Sequence, residues 1–422
     1  MIDPRLAIRI KKAWAALTPE QRAKVEPHLQ IADSHLQAVL SAPPAAPPLP
    51  VSRRELLYAK SALEDKAEVY VASAKLALTQ SATLGCQVPV DPSGNILGFG
   101  TFQLLDPGWL EAGVLWLEYL VGQNRFPFGA AAPARIPIPD KLTIVLAGDF
   151  GTGDWGSAAN PAASTKIRQK IAALNPEITI HLGDVYYAGT GSSELGNFVS
   201  LWPKGSLGSL ALNSNHEMYT GGIPYFQEAL GGGEFKLQGG RSLFALENSQ
   251  WIIVGLDSAY FSDPYSLFMN GALSDGQNLN VQTQFLRDCA NSGKKVLVLT
   301  HHNGLVEDGT SKYPLWAQVA SAFPAAKPPA LWYWGHAHAG VVYKTQASDG
   351  IPCRCVGHGA LPWGRASSLA NSSAVSWFES RSANDPDDPQ RVLNGYAVLA
   401  FNGANVTETL YDENGSVAWR QP

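Results

Sequence analysis

Five apolar runs in the second half of the chain each end in polar residues that could bind a metal ion. The runs are Leu142–Ala147, Ile178–Leu182, Ser209–Leu212, Val296–Thr300 and Ala330–Trp334. The residues that follow them are, in the same order, Asp149, Asp184, Asn215 with His216, His301 with His302, and His336 with His338. Layered α/β enzymes build their sites where buried strands end in such loops. We therefore expect these side chains to converge.

The mixture of carboxylate, amide and imidazole groups indicates a site for hard-to-borderline metal ions. Such ligands suit iron, manganese and zinc, whereas soft ions prefer thiolates. Asp184 could bridge two ions, and His336 and His338 could diverge toward both if they lie in a turn. Two ions about 3.5–4 Å apart can stabilise both the attacking and the leaving oxygen of an in-line displacement.

These blocks resemble the motifs of the calcineurin-like metallophosphoesterases and, within that superfamily, those of the purple acid phosphatases. In the first block, Asp149-Phe150-Gly151, glycine stands where the general pattern has histidine, and the second block matches Gly-Asp-x-x-Tyr; both features are typical of purple acid phosphatases. The resemblance covers about residues 141–360 and does not extend to the first 135 residues. The remaining blocks are Gly183-Asp184-Val185-Tyr186-Tyr187, Ser214-Asn215-His216-Glu217 (serine replacing the usual glycine), Val298-Leu299-Thr300-His301 and Gly335-His336-Ala337-His338.

The resemblance implies a dinuclear metal centre. One ion would be bound by Asp149, Asp184, Tyr187 and His338, and the other would share Asp184 and add Asn215, His301 and His336. The Tyr187 site would hold Fe(III), and the other site would hold Fe, Zn or Mn. His216 would bind no metal but would stabilise the transition state or protonate the leaving alkoxide as a general acid. Glu217 is interpreted as the residue that orients His216.

Four other residues have both a functional and a structural interpretation. His302 follows a ligand directly, so its side chain should point away from the metals, into a structural or substrate-contact role. His358 and Arg365 follow a strand and a Pro-Trp-Gly turn, and each is a candidate substrate contact or an ordinary loop residue. His181, inside a predicted strand, is predicted to be a hydrogen-bonded core histidine. The loops around the blocks are aromatic, and a few rings, such as that of Trp363, could form an apolar wall for the leaving group.

The elements that must position these residues predict an α/β domain. Helices, strands and polar loops alternate from residue 141 to about 340, and strands follow one another from there to residue 420, with a strong hairpin turn at Asn414-Gly415. The resemblance implies that this domain is a four-layer α/β/β/α sandwich. We assign residues 136–422 to the catalytic domain.

Residues 1–135 predict a mainly helical N-terminal region. Apolar residues recur at helical spacing over residues 5–41 and 52–78, and a proline-rich spacer lies between them at residues 42–50. Thr18-Pro19-Glu20-Gln21 combines a capping threonine with proline and glutamine at the first and third helical positions, so a second helix should begin there. We expect these helices to contact a partner or a second copy of the chain.

Composition excludes several classes of protein. The net charge of −5 over 422 residues gives no basic footprint for nucleic acid. Four scattered cysteines predict free buried thiols rather than a disulfide framework. The N-terminus has no apolar signal segment, and no uncharged stretch reaches the length of a membrane span. Cytoplasmic location is therefore the default expectation, and export without a signal stays open.

Together these observations predict an enzyme, a metal-dependent phosphomonoesterase that attacks a small phosphate ester with a metal-bound hydroxide. A phosphodiesterase with the same ligands is the alternative reaction. A non-catalytic, metal-stabilised binding module is the alternative class of protein. A toxin or effector that attacks phospholipids or nucleotides would use the same chemistry.

Overall fold

The computed structural model describes residues 6–26, 88–98, 100–104, 106, 108–129, 131–276 and 281–421. The predicted spacer at residues 42–50, the helix at 52–78 and Cys86 lie outside these ranges. Across the described ranges, no helix combines the length and the apolar character that crossing a bilayer requires. The described cysteines, Cys289, Cys353 and Cys355, are buried free thiols, as expected.

The strands form one sheet of eight strands, called sheet 1, and one of six, called sheet 2. In chain order the strands are β1 (Ile136–Pro137), β2 (Lys141–Ala147), β3 (Ile178–His181), β4 (Gly208–Ala211), β5 (Phe244–Glu247), β6 (Trp251–Gly255), β7 (Lys295–Thr300), β8 (Leu331–Trp334), β9 (Gly340–Tyr343), β10 (Cys353–Val356), β11 (Val375–Phe378), β12 (Gly395–Asn402), β13 (Asn405–Asp412) and β14 (Val417–Arg420). Sheet 1 has the order β1-β5-β6-β7-β8-β10-β9-β11, and sheet 2 has the order β14-β13-β12-β2-β3-β4.

The α-helices with given bounds range from three to 14 residues in length. They are α1 (Leu6–Ala16), α2 (Trp109–Gly122), α3 (Ala163–Leu174), α4 (Gly191–Ser193), α5 (Asn215–Met218), α6 (Val281–Ala290), α7 (Pro314–Ala320) and α8 (Ser367–Asn371). The described residues 19–26 are also helical, and there are two π-helical turns, Glu194–Val199 and Tyr225–Ala229, and two 3₁₀ turns, Lys236–Gln238 and Thr345–Ser348.

The central core lies between the two sheets. Alternate residues of one strand share a face, so Leu142, Ile144 and Leu146 of β2 all reach this core, where they join Leu297 and Leu299 of β7. The outer face of sheet 1 packs against α6 and α7, and the outer face of sheet 2 packs against α3. The four-layer α/β/β/α arrangement is thus confirmed.

The strand register places the predicted metal-binding loops at matching ends of the sheets. Strands β2, β3 and β4 are parallel neighbours in sheet 2, and β7 and β8 are parallel neighbours in sheet 1. Their carboxyl ends therefore open toward one edge of each sheet.

The predicted turn at Asn414-Gly415 joins β13 to β14, and Gly415 has the positive φ of 84° that such a turn needs.

The N-terminal helices pack against each other and against the catalytic part of the chain. The predicted restart at Thr18 is confirmed, because Gln21 N donates to Thr18 Oγ1 at 3.2 Å and Thr18 N donates to the Gln21 side chain at 2.9 Å. Arg9 pairs with Glu118 of α2 at 2.7 Å. The apolar face of α2 also packs against Tyr219, which lies beside the candidate site.

A buried ion pair joins the two sheets. Arg354 of β10 donates twice to Glu408 of β13, at 3.0 Å from both Nε and Nη2, and Tyr333 of β8 donates to the same carboxylate. Glu408 is fully buried, and the Arg354 guanidinium also lies 5.0 Å from the ring centre of Trp419. The buried charges of Arg354 and Glu408 are therefore compensated only while the two sheets keep their positions relative to each other.

We predict that Glu408→Gln lowers the free energy of unfolding by about 3–5 kcal/mol, because it leaves a buried guanidinium without its counter-charge. Urea denaturation measures this loss. The control is Glu234→Gln, which removes a pair with Lys204 at 2.7 Å whose side chains are 69% and 32% exposed, and it should cost about 0–1 kcal/mol. Equal losses in the two variants would show that the buried pair does not hold the sheets together.

Candidate metal centre

The structure brings six of the seven predicted ligands together at the strand ends, in two groups. The first group is built from Asp149 after β2, Asp184 after β3 and His338 after β8. His338 Nε2 lies 3.4 Å from Asp149 Oδ1. The hydroxyl of Tyr186 lies 3.0 Å from Asp149 Oδ1, 3.0 Å from Asp184 Oδ2 and 3.2 Å from His338 Nε2. Three oxygen atoms and one nitrogen atom, from four different side chains, thus lie around a single position.

The second group surrounds His301 Nε2, which lies 3.0 Å from Asn215 Oδ1, 3.2 Å from His336 Nδ1 and 3.2 Å from Asp184 Oδ1. His301 Nδ1 lies 2.8 Å from the Leu182 carbonyl, which can only accept, so Nδ1 carries the proton and Nε2 offers a lone pair. That lone pair faces the amide oxygen of Asn215, another acceptor. A cation between them resolves this contact.

Tyr219 fixes the orientation of the Asn215 amide. Asn215 Nδ2 donates to the Tyr219 hydroxyl at 3.0 Å, and that hydroxyl donates to the Leu267 carbonyl at 2.6 Å. With its nitrogen held there, the amide must turn its oxygen toward His301. Tyr219 was not singled out from the sequence, because nothing in the local pattern distinguishes it from other buried tyrosines.

Sharp backbone turns aim four of the ligands into the site. Asp149, Asp184, His336 and His338 have φ values of 59°, 77°, 64° and 27°, a region that residues other than glycine rarely adopt. Such conformations cluster at functional sites, where the surrounding structure enforces them. Gly183, at φ 103°, has no room for a Cβ, which would lie 2.6 Å from His301 Nδ1.

Burial sets the charge state of the ligands. It raises the pKa of Asp149, and the neighbouring Asp184 carboxylate raises it further. Burial alone would also raise the pKa of Asp184, but the imidazoles of His301 and two other histidines hold that pKa well below its usual range. Burial lowers the pKa of His336, and it lowers the pKa of His338 to about 4. Neutral imidazoles are the form that binds metals.

His216 lies beside the first group and is held by the backbone. Its Nδ1 lies 2.6 Å from the Tyr187 carbonyl, so this nitrogen donates, and Nε2 faces Asp184 Oδ2 at 4.0 Å. The sequence interpretation assigned this orientation to Glu217, and the structure assigns it to the Tyr187 carbonyl instead. The Glu217 carboxyl group instead contacts the Ser214 hydroxyl.

Ser214 links Glu217 to Asp184. Its hydroxyl contacts Glu217 Oε2 and Asp184 Oδ1, but one hydroxyl carries only one hydrogen. A second proton is therefore required, and Glu217 is the group that can hold it, because burial and the nearby Glu194 carboxylate raise its pKa well above the usual range. A neutral Glu217 donates to Ser214, which donates to Asp184.

The structure does not place Tyr187, a predicted ligand, among the converging side chains, because the Tyr187 hydroxyl donates to Asp106 of the N-terminal region. The Tyr186 hydroxyl occupies the predicted position instead. Tyr186 and Tyr187 both lie in a turn, and this turn directs only the Tyr186 side chain toward the carboxylates. The motif spacing alone pointed to Tyr187.

Two further candidates, His302 and His358, are buried in the interior of the protein. His302 Nδ1 is 2.9 Å from Ser258 Oγ, although its ring lies 4.7 Å from that of His336 and it forms a possible three-histidine group with His336 and His301. His358 is buried, and its ring packs so closely on Gly340 and Gly395 that a Cβ at either position would lie 2.6 Å from it.

Arg365 and His181 also lie away from the ligands. Arg365 is exposed at a cavity of about 280 Å³ whose lining includes none of the ligands. His181 is a core residue as predicted, but its ring packs against Phe198 and Trp202, and neither ring nitrogen has a hydrogen-bond partner. Burial lowers its pKa to about 3, so it stays neutral.

We predict that Tyr219→Phe weakens the binding of one cation by about 10- to 100-fold, the usual effect of removing a group that orients a ligand. Calorimetric titration of the apoprotein with Mn²⁺ or Zn²⁺ measures it. Tyr225→Phe is the matched control, because Tyr225 is equally buried but donates to the Ala211 carbonyl, away from the ligands. Equal affinities in the two variants would refute the role of Tyr219.

Comparisons with known proteins show what this chain is similar to. A search of curated proteins finds no match. GAP50, the anchor in the inner membrane complex of Plasmodium, is similar in structure at 10% identity and a TM-score of 0.46, over 67% of this chain and 88% of that chain. A dimetal phosphatase from Danio rerio is similar at 11% identity and a TM-score of 0.41, over 64% and 95% of the two chains. The family model described as calcineurin-like phosphoesterase matches residues 142–340 of this chain.

Proposed function

We propose that this protein is a phosphoesterase with two metal ions, one on each side of Asp184. The observation that supports this most directly is the division of the Asp184 carboxylate: Oδ2 lies 3.0 Å from the Tyr186 hydroxyl, and Oδ1 lies 3.2 Å from His301 Nε2. The ligands of the first ion are Asp149, Asp184, Tyr186 and His338. Those of the second ion are Asp184, Asn215, His301 and His336.

The chemistry follows from these positions. When bound, two cations lower the pKa of water and neutralise the charge of a phosphate group. His216 Nε2 lies at the edge of the first group, and Nδ1 is committed to the Tyr187 carbonyl. His216 therefore presents Nε2 to a bound phosphate ester and gives its proton to the leaving oxygen as the ester bond breaks.

We propose monoesters as the substrates. The two departures from the general superfamily pattern, Gly151 in the first block and the tyrosine in the second, resemble the purple acid phosphatases, which mostly hydrolyse monoesters. A higher rate on p-nitrophenyl phosphate than on bis-p-nitrophenyl phosphate supports this assignment. The reverse ratio favours the diesterase.

We predict that apoprotein reconstituted with iron, zinc or manganese hydrolyses p-nitrophenyl phosphate, and that His216→Gln lowers kcat by about 10²–10⁴-fold while it keeps both metals. The control is Asp308→Asn, a partly exposed carboxylate that accepts a hydrogen bond from Thr310 and contacts none of the ligands. Metal analysis of each variant separates loss of chemistry from loss of ions. Metal-loaded protein that is inert on a broad panel of phosphoesters would instead favour the binding module.

We further propose that Fe(III) binds on the Tyr186 side of Asp184, where a phenolate ligand would give the iron a visible charge-transfer band. Iron-loaded Tyr186→Phe should lose this band, and Tyr187→Phe should keep it, because the Tyr187 hydroxyl is held by Asp106. Absorption spectroscopy with iron quantification tests both variants. A band that disappears only in Tyr187→Phe would restore the assignment made from the sequence.

A further inference from the structure

We propose that the N-terminal region completes the catalytic cleft with an aromatic wall and so selects phosphate esters of aromatic alcohols. The wall is formed by Trp109 of α2 and Trp363, which lie against His216 and His338, respectively. This inference rests on the proposed function. It assigns a role to a part of the chain that lies outside the matched residues 142–340.

Trp109 lies where a leaving group must extend. Its ring centre is 5.9 Å from that of His216 and 5.8 Å from that of Tyr186. Because His216 protonates the leaving oxygen, the organic part of the ester begins beside His216 and therefore beside this indole. Trp109 Nε1 donates to the Gln103 carbonyl at 2.8 Å, so the ring is held in place, yet the residue remains half-buried.

The approach of this segment to the site depends on Gly108. A Cβ at this position would lie 2.3 Å from the Tyr187 ring, so any other residue would push the segment away. The contact is reinforced by Phe102, which stacks on Tyr187 with ring centres 4.7 Å apart. The ring centre of Phe102 in turn lies 5.9 Å from that of Trp155, a residue that is 36% exposed. Trp155 therefore extends the aromatic surface outward.

Trp363 forms the other side of the wall. Its ring is 5.1 Å from His338 in an edge-to-face arrangement, and it is half-buried. Gly94, also from the N-terminal region, supports it so closely that a Cβ there would lie 2.2 Å from Trp363 Nε1. Both tryptophans are thus positioned by the same segment, and each leaves part of its ring accessible next to a histidine of the site.

An aromatic group is the occupant that this surface favours. Aromatic pairs contribute about 0.5–1.5 kcal/mol beyond the burial of their area, which corresponds to roughly 2- to 12-fold in affinity. A small alkyl group cannot make these contacts. The preference should therefore appear in binding itself, independently of how good a leaving group the alcohol is.

The test compares phenylphosphonate with methylphosphonate, two phosphate mimics that cannot be hydrolysed, by calorimetric titration of the metal-loaded full-length protein. We expect phenylphosphonate to bind at least about threefold more tightly. Trp109→Leu, which keeps apolar volume but removes the ring, should bring the two affinities together, as should Trp363→Leu. Trp419→Leu, at a half-buried tryptophan on β14, is the matched control and should keep the preference.

The outcomes separate this inference from the proposed function. If both phosphonates bind equally well to the wild type, or if Trp109→Leu keeps the same preference as Trp419→Leu, the aromatic wall is refuted while the phosphoesterase stands. If neither phosphonate binds to the metal-loaded protein, the phosphate site itself is absent and both proposals fail. Circular dichroism and thermal unfolding of each variant show that the measured protein is folded.

Discussion

The structure of the site depends on how Asp149 and Asp184 are buried together. Both carboxylates are fully buried and contact the same tyrosine hydroxyl. Among the residues that the structure describes, the ion pairs of these two carboxylates are all with histidines and none is with lysine or arginine. Burying such charges is costly unless they are paired or coordinate a metal. Positive charge held between them is therefore what makes the arrangement favourable.

The fold prepares this arrangement before any ion binds. Parallel strands of two facing sheets bring their carboxyl ends to a common edge, and strained turns at four ligands aim side chains inward. The buried pair of Arg354 and Glu408 fixes the register between the sheets, and with it the distance between the two halves of the site. Asn215 is then oriented by the hydrogen bond that it donates to Tyr219, and Asp184 by the one that it accepts from Ser214.

The sequence was sufficient to predict the strands, their loops and the convergence of six candidate ligands, because a buried strand followed by Asp, Asn or His is a local pattern. It pointed to Tyr187 rather than Tyr186, because only Tyr187 fits the Gly-Asp-x-x-Tyr spacing, whereas the backbone direction decides which ring faces the carboxylates. The contacts of Trp109 and Gly94 join residues that are far apart in the chain, and no local pattern reports such contacts. The sequence also could not predict the link from Glu217 to Asp184 through Ser214. This link forms only because the turn after β4 approaches the turn after β3.

The most direct test of the dinuclear centre is anomalous X-ray diffraction from crystals of the protein reconstituted with iron or manganese, recorded at the absorption edge of the metal. The account predicts two anomalous peaks about 3.5–4 Å apart, with the Asp184 carboxylate between them, the Tyr186 hydroxyl at one peak and the Asn215 amide oxygen at the other. A single peak, or two peaks of which neither lies within bonding distance of Asp184, would contradict it.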